Sequence, residues 1–460
     1  MFNKILIANR GEIALRVIRA CREMGIKSVA VYSEADETSI HVQQADESVC
    51  IGPAISSKSY LNIQSIMDAA QKTNAEAIHP GYGYLAEKEE FARACEEAGI
   101  AFIGPRPDNL NLAGDKIAGK KKMEAAGVPI IPSSPGGVDS IEEAKAVAKT
   151  IGYPVMIKSA GGGGGRGIRV CNDEDELVEE FSVARMEAGA AFGNNQVYIE
   201  KFIVQPRHIE FQVLADQFGN VIHLGERECS IQRRFQKLIE ESPSPRLDDE
   251  LRARMGQAAI DAARAIDYFN AGTVEFLLDA KGDFYFIEIN ARIQVEHPVT
   301  ELTTGVDLVK EQIRLSAGGK LDYSFDDINL RGWAIECRIN AEDPERNFMP
   351  SPGTVESYHA PGGFGVRLDT HLYQGYELPI YYDSLVAKLV SFALTREEAI
   401  DVMKRCLAEY TIEPLKTTIP LYSQVMDEQD FRDGNFDTSY IERFLPEEED
   451  DDDDEDDGDE

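Results

Sequence analysis

The sequence predicts a mixed α/β and α+β protein: an N-terminal domain with a parallel sheet, a small lid carrying a glycine loop, and a mainly antiparallel C-terminal domain. Three observations lead there. Over the first hundred or so residues, strand-like apolar runs alternate with helical ones, the pattern of βαβ units. A run of five glycines then sits between two short strand-like segments. Beyond Pro206 long strand-like stretches follow one another, interrupted by one helix, which reads as an antiparallel sheet. At 460 residues the chain is too long for one core, so several domains are expected.

Taken in order, Lys4-Ile-Leu-Ile-Ala-Asn9 reads as a buried strand and Arg10-Gly11-Glu12 as a turn. Ile13 to Met24 has apolar residues at helical spacing, and Ser28 to Tyr32 is a second strand. This βαβ unit lacks Gly-x-Gly-x-x-Gly, so it is a poor dinucleotide site. Alternation continues to Phe102-Ile-Gly-Pro105, and a helical stretch from Asp115 to Ala126 leads out. A smaller unit, Ile130 to Ile203, holds the strand Pro154 to Lys158, the glycine run and the strand Ile168 to Val170. After Gln205-Pro206 come strands at His208–Ala215, Val221–Glu228, Gly272–Leu278 and Phe284–Asn290, with a helix at Asp248–Ile266. The remainder to Leu445 is mixed α+β. The expected divisions are 1–114, a helical linker 115–129, the lid 130–203, a C-terminal domain 204–445 and an acidic, disordered tail 446–460.

Hydrophobic residues at 43% and charged residues at 28% suit a soluble globular protein. No apolar run is long enough for a bilayer and no signal peptide precedes the first strand, so a cytoplasmic protein without membrane contact is expected. Seven cysteines form no Cys-x-x-Cys pair, and reduced, mostly buried thiols are the reading. The formal charge is −35; thirteen acids lie in the tail, leaving 69 acids against 47 bases, a body charge of −22. That balance opposes general nucleic-acid binding, which requires cations along the phosphate backbone. The tail reads as a solubilising extension, with specific docking as the alternative.

Ser159-Ala-Gly-Gly-Gly-Gly-Gly-Arg-Gly167 directly follows Lys158. Without β-carbons, backbone N–H groups can close on phosphate oxygens, and Lys158 and Arg166 add positive charge. A flexible linker would usually mix glycine with serine and would not sit between strands. Gly114-Asp-Lys-Ile-Ala-Gly-Lys120 imitates a phosphate-binding P-loop, but Lys121 replaces the hydroxyl residue that would bind magnesium, and no strand precedes it.

Thr273 to Asp279 and Phe284 to Asn290 flank a Gly-containing turn and form a hairpin. A register symmetric about Lys281 and Gly282 sets Glu275 opposite Glu288, with Asn290 on the same face as Glu288. Facing carboxylates repel unless a hard cation such as Mg²⁺ joins them; the bland alternative is a solvated acidic strand face. Arg292 and Glu296 follow. An arginine can clamp an oxyanion and a nearby glutamate can act as base, although close Arg and Glu commonly form only a structural salt bridge. Glu226 to Lys237 is dense in charge and reads either as part of the site or as an exposed loop. Arg338, in a strand-like apolar setting, needs an anionic partner or a route to solvent.

Together Ile7-Ala-Asn-Arg-Gly-Glu-Ile13, His79-Pro-Gly-Tyr-Gly-Tyr84, the GGGGGRG loop, Ser230-Ile-Gln-Arg-Arg234, Phe286-Ile-Glu-Ile-Asn290 and Arg292-Ile-Gln-Val-Glu-His-Pro-Val-Thr-Glu301 resemble the biotin carboxylases, over about residues 1 to 445. The resemblance implies an ATP-grasp fold with a mobile lid. It implies ATP contacts at Lys116, Lys158, Gly164, Gly165, Glu200, Lys201, Phe202, Ile203, His208 and Gln232, joined by Glu275 and Glu288. It implies metal ligands at Glu275, Glu288 and Asn290, with Mg²⁺ or Mn²⁺ bound. A bicarbonate pocket would comprise Lys237, Arg292, Gln294, Val295 and Glu296, and a biotin site Tyr82, Gly83 and Arg338. Two departures stand out: Phe235 where many members have His, which removes a polar nucleotide contact, and Ala291 where Thr or Pro is usual.

The family mechanism implies that Glu296 deprotonates bicarbonate held by Arg292 and Lys237, and that the oxyanion attacks the γ-phosphorus of ATP. Carboxyphosphate then yields CO₂ and phosphate, the phosphate takes the biotin N1′ proton, and Arg338 stabilises the enolate-like ureido oxygen. The sequence has no Met-Lys-Met biotinylation motif and no carboxyltransferase domain. The expectation is therefore that biotin arrives on a separate carrier protein and that a carboxyltransferase subunit completes a homodimeric or larger holoenzyme, acting on an acyl-CoA or pyruvate. Another ATP-grasp ligase joining a carboxylate to an amine, or a non-catalytic ATP-binding subunit, are the alternatives.

Overall fold

A computed structural model describes residues 1–159, 168–192 and 195–445. The glycine run and the acidic tail, with Gly164 and Gly165 among them, lie outside the described residues, as does the side chain of Lys116.

The first unit is a five-stranded parallel sheet in the order β3-β2-β1-β4-β5, formed by β1 (Lys4–Ile7), β2 (Lys27–Ser33), β3 (Glu47–Gly52), β4 (Ala77–His79) and β5 (Ala101–Phe102). Its central strand is apolar and buried from Ile5 to Ile7 because helices or other layers cover both faces, as expected for parallel sheets. The helix α1 (Gly11–Glu23) follows β1 as the periodicity predicts. At the carboxyl ends of β1 and β4 two loops meet. Asn9 Nδ2 donates to the carbonyls of Pro80 at 2.8 Å and Tyr82 at 2.7 Å. Gly81 there has a φ of 63°, and a β-carbon on it would stand 2.9 Å from Asn9 Nδ2, so only glycine fits.

The helix Lys116–Ala125 is preceded by another helix, Pro107–Gly114, so the P-loop imitation has no strand to spring from. The small unit is a three-stranded antiparallel sheet in the order β7-β6-β8: β6 (Val155–Ser159), β7 (Ile168–Cys171) and β8 (Val197–Lys201). It has its own core, from Val138 and Ala144 to Phe181 and Ile199.

The third unit is an eight-stranded antiparallel sheet. Six of its strands are β9 (Arg207–Ala215), β10 (Val221–Arg233), β11 (Gln236–Ser242), β12 (Asn270–Leu278), β13 (Phe284–Asn290) and β14 (Trp333–Asn340), ordered β13-β12-β9-β10-β11-β14 and extended by Leu385–Ala393 and then Val366–Thr370. The helix Asp249–Ala265 interrupts it in sequence, capped by Asp248, whose side chain accepts from the Leu251 N–H. One apolar cluster joins Ile5, Ile7, Val17 and Ile18 of the first unit to Leu214, Ile222, Ala271 and Ile313 of the third, so these two share a core. Among the described residues no helix is long and apolar enough to cross a membrane.

The stretch Glu226–Lys237 is not an exposed loop. Glu226 to Gln232 are buried in β10, and only Arg234 and Phe235 form the turn to β11, with φ of 48° and 65°. That two-residue turn between Arg233 and Gln236 has both central residues left-handed, the geometry that matches strand twist, here without glycine.

Candidate active site

One open cleft of about 3160 Å³ runs between the three units, and the predicted residues with described side chains line it, apart from Glu296, which is fully buried just beneath. Its floor is the strand group β13-β12-β9-β10-β11, which explains why carboxylates from distant sequence meet. Register pairs Glu275 with Glu288 across β12 and β13 as expected, but not by the expected symmetry: next to the turn Leu278 pairs with Phe284, and a bulge between Glu275 and Phe276 shifts the register to bring the two acids opposite. On the other side of β12 Glu275 pairs with Glu210 of β9, and Glu210 pairs with Arg227 of β10.

Three buried carboxylates converge on one ammonium. Lys237 Nζ donates to Glu210 Oε2 at 2.5 Å, Glu275 Oε1 at 2.8 Å and Glu296 Oε1 at 2.8 Å. Each acid has a second cation or donor. His208 Nε2 lies 3.0 Å from Glu275 Oε2, and Asn290 Nδ2 and Gln294 Nε2 donate to Glu275 Oε1 at 2.9 and 3.1 Å. Arg227, fully buried, holds Glu210. Arg338 Nη2 donates to Glu296 Oε2 at 2.9 Å, and its Nε donates to Glu240 Oε1 at 2.6 Å.

These partners decide the charges. Burial disfavours the Glu296 carboxylate, but Lys237, Arg338 and Arg227 outweigh it and hold the acid well below the usual carboxylate range. Burial likewise opposes ionisation of Glu275, and Lys237 with His208 reverses the balance. Desolvation of Lys237 would favour its neutral amine, yet the three carboxylates keep it charged. Glu240, more poorly compensated, is pushed up to about 7 by burial despite Arg338.

Arg292 and Glu296 do not form the local salt bridge their spacing allows. Arg292 turns along the cleft instead, donating to Gln294 Oε1 at 2.6 Å and Asn290 Oδ1 at 3.0 Å, with Glu87 at 3.4 Å. It thus stands beside the proposed metal ligands with guanidinium N–H groups facing the cleft. On the lid side Lys158 and Lys120 both bind Glu200, the latter at 3.1 Å, while Lys201 donates to the carbonyls of Gly152 and Tyr153 at 2.9 and 2.8 Å. Phe202 and Ile203 continue the cleft wall, and Gln232 faces it from β10 opposite Lys237. Tyr82 and Gly83 line the end nearest the first unit, and the Tyr82 hydroxyl donates to Glu12.

Glu275, Glu288 and Asn290 offer carboxylate and amide oxygens, a donor set suited to Mg²⁺ or Mn²⁺ and poorly suited to softer metals. Among the described residues two trios have ligand-capable atoms within 4.8 Å of one another, His208 with Glu210 and Glu275, and Glu210 with Cys229 and Glu296, so Glu275 belongs both to the first trio and to the proposed metal ligands. Sequence reasoning missed Glu210, Arg227, Glu240 and Lys120. Glu210 could have been found by stepping two residues from His208 along its strand; the others show their role only once the strand order is known.

Three family matches tile the chain. Residues 1–110 match the family described as biotin carboxylase, N-terminal domain; residues 115–324 match carbamoyl-phosphate synthase L chain, ATP binding domain; and residues 336–443 match biotin carboxylase C-terminal domain. Biotin carboxylase 1 of Bacillus subtilis is 55% identical over 445 residues, 96% of this chain and 99% of that protein. The small subunit of 2-oxoglutarate carboxylase from Hydrogenobacter thermophilus is 56% identical, over 96% of this chain and 93% of its own length. Among solved structures, the biotin carboxylase domain dimer of Hydrogenobacter thermophilus 2-oxoglutarate carboxylase, in complex with MgADP, ADP and bicarbonate, matches with a TM-score of 0.88 and 56% identity, covering 96% of this chain and 98% of that one.

Proposed function

The chain belongs to the biotin carboxylase family, and from that premise we propose how its cleft divides the labour of the reaction. The enzyme carboxylates biotin with ATP and bicarbonate through an ATP-grasp fold. The observation that carries our residue-level reading is the shared ammonium of Lys237, which ties the metal-side Glu275 to the base Glu296.

In this reading Lys237 and Arg292 take hold of bicarbonate, with Gln294 and the Val295 backbone closing its pocket. Glu296 begins fully ionised, held so by Lys237 and Arg338. As bicarbonate draws Lys237 toward itself, Glu296 loses part of its compensation and gains basicity, which suits it to take the bicarbonate proton. The oxyanion then attacks the γ-phosphorus of ATP, whose phosphates meet Lys158 and whose base and ribose meet Glu200 to Ile203, His208 and Gln232. Glu275, Glu288 and Asn290 would hold a divalent cation that neutralises phosphate charge. Carboxyphosphate decomposes to CO₂ and phosphate, and the phosphate removes the N1′ proton of biotin lying against Tyr82, Gly83 and Arg338. Arg338 stabilises the negative oxygen of the ureido ring; its double engagement with Glu240 and Glu296 fixes the guanidinium for that task.

Relatives of this chain are components of multi-subunit carboxylases. We infer a separate biotin carrier protein and a carboxyltransferase as its partners, the latter choosing the acyl or oxo-acid acceptor. Seven free cysteines, six of them buried, suit a reducing, cytoplasmic setting. The test is Mg²⁺- and bicarbonate-dependent ATP hydrolysis, stimulated by free biotin. Folded protein that hydrolyses ATP without regard to bicarbonate or biotin would overturn the reading.

A further inference from the structure

Lys388, on the strand Leu385–Ala393, is fully buried. A buried ammonium must be matched by anionic or carbonyl oxygens, and this one has two partners of different kinds. Its Nζ donates to the Val295 carbonyl at 2.9 Å and stands 3.2 Å from Glu12 Oε1 of α1. Glu12, itself buried, accepts the Tyr82 hydroxyl, and the ammonium lies 5.8 Å from the centre of the Tyr82 ring. Other charged groups surround the position. Lys388 pairs across the sheet with Arg338 on one side and Asp369 on the other, but Arg338 is held by Glu240 and Glu296, and Asp369 by Arg367 at 2.7 Å. Glu336 is the remaining buried acid within electrostatic reach, and no hydrogen bond joins it to Lys388. Glu12 is therefore the carboxylate on which Lys388 depends.

Val295 and Tyr82 lie far apart in the sequence and serve the two halves of the reaction. We propose that Lys388 is a positioning residue that fixes the biotin-side wall relative to the bicarbonate-side loop, holding the Val295 carbonyl directly and Tyr82 through Glu12. The proposal rests on the assignment of Tyr82 to biotin and Val295 to bicarbonate. Carboxyl transfer between two separately bound reactants needs their sites aligned to about an ångström, and one buried charge bonded to both walls supplies that alignment.

The test uses the full chain with free biotin as acceptor. Wild-type protein first has to display biotin-stimulated, bicarbonate-dependent turnover; if it does not, the functional reading fails before Lys388 is touched. Glu12→Gln keeps an amide oxygen in place but withdraws the charge that links Lys388 to the Tyr82 hydroxyl, while the bond from Lys388 to the Val295 carbonyl remains. It is expected to raise the KM for biotin about tenfold, the worth of one charge-assisted hydrogen bond, with the KM for bicarbonate and ATP held within about twofold. The double variant Lys388→Met/Glu12→Gln removes both charges together, which buried pairs tolerate better than the loss of one partner. It is expected to raise the KM for bicarbonate as well, again sparing ATP. An unchanged biotin KM in Glu12→Gln overturns the proposal, whether or not the double variant folds. So does a parallel rise for all three substrates, which would mean a general structural role.

Discussion

Replacing Lys237 by methionine keeps most of the length of the side chain and deletes the charge that Glu210, Glu275 and Glu296 share. Removing one member of a buried ion pair typically costs about 3–5 kcal/mol. The lower end applies here, because each acid keeps a second partner: Arg227 on Glu210, His208 on Glu275 and Arg338 on Glu296. At roughly 2–4 °C per kcal/mol for a unit of this size, a loss of about 3 kcal/mol lowers Tm by about 6–12 °C. The pH dependence gives the sharper readout. In the wild type Glu275 and Glu296 have depressed pKa values, so the stability they lend is complete above the unfolded carboxylate range and is lost only as pH falls through their low folded values. Without Lys237 the cluster carries excess negative charge and at least one carboxylate moves upward, so its contribution now weakens as pH rises. The Tm gap between wild type and variant is therefore expected to widen from about pH 5.5 to about pH 8, as measured by calorimetry. A gap that stays constant, or a Tm equal to that of wild type at the upper pH, would refute the shared-charge account.

Glu296→Gln should leave ATP affinity within about twofold while bicarbonate-dependent turnover falls by about 10²–10⁴, as measured by nucleotide titration beside steady-state kinetics; retained turnover would remove Glu296 from the role of base. Phe235→His returns a polar group to an exposed turn residue that lines the cleft and should tighten ATP binding by about fivefold, the worth of one neutral hydrogen bond, without loss of Tm. Chelating divalent cations should abolish turnover yet leave Tm of the nucleotide-free protein within about 1 °C, because Lys237, His208, Asn290 and Gln294 already compensate Glu275; a large drop in Tm would mean that the acids depend on the metal to fold.

Much of this was legible in the sequence for local reasons. The helix Asp249–Ala265 follows from its periodicity and the hairpin from two strand runs flanking a Gly-containing turn, but the pairing of Glu275 with Glu288 depends on a bulge that turn length does not announce. Charge density left two readings open where strand order was unknown: Glu226 to Gln232 carries four ionisable residues, counting Cys229, and is buried, because its partners Glu210, Arg252 and Ser244 come from other elements. Lys388 was invisible for the same reason. Nothing near it in sequence announces that Glu12 and Val295, both far from it along the chain, complete its coordination. Arg292 and Glu296 invited a local salt bridge, but Gln294 and Asn290, nearer still in sequence, take Arg292, while the distant Lys237 and Arg338 take Glu296. The glycine loop, the residue stretch with the plainest chemical meaning, falls outside the described residues.

The shared apolar cluster between the parallel sheet and the large antiparallel sheet has a consequence for how the molecule comes apart. A fragment ending near residue 114 would bare the face that Leu214, Ala271 and Ile313 now cover, and should aggregate rather than fold alone. The small three-stranded unit, with an apolar interior of its own, is under no such obligation. Heating should therefore reveal two melting units rather than three, the small one released first and the other two surrendering together.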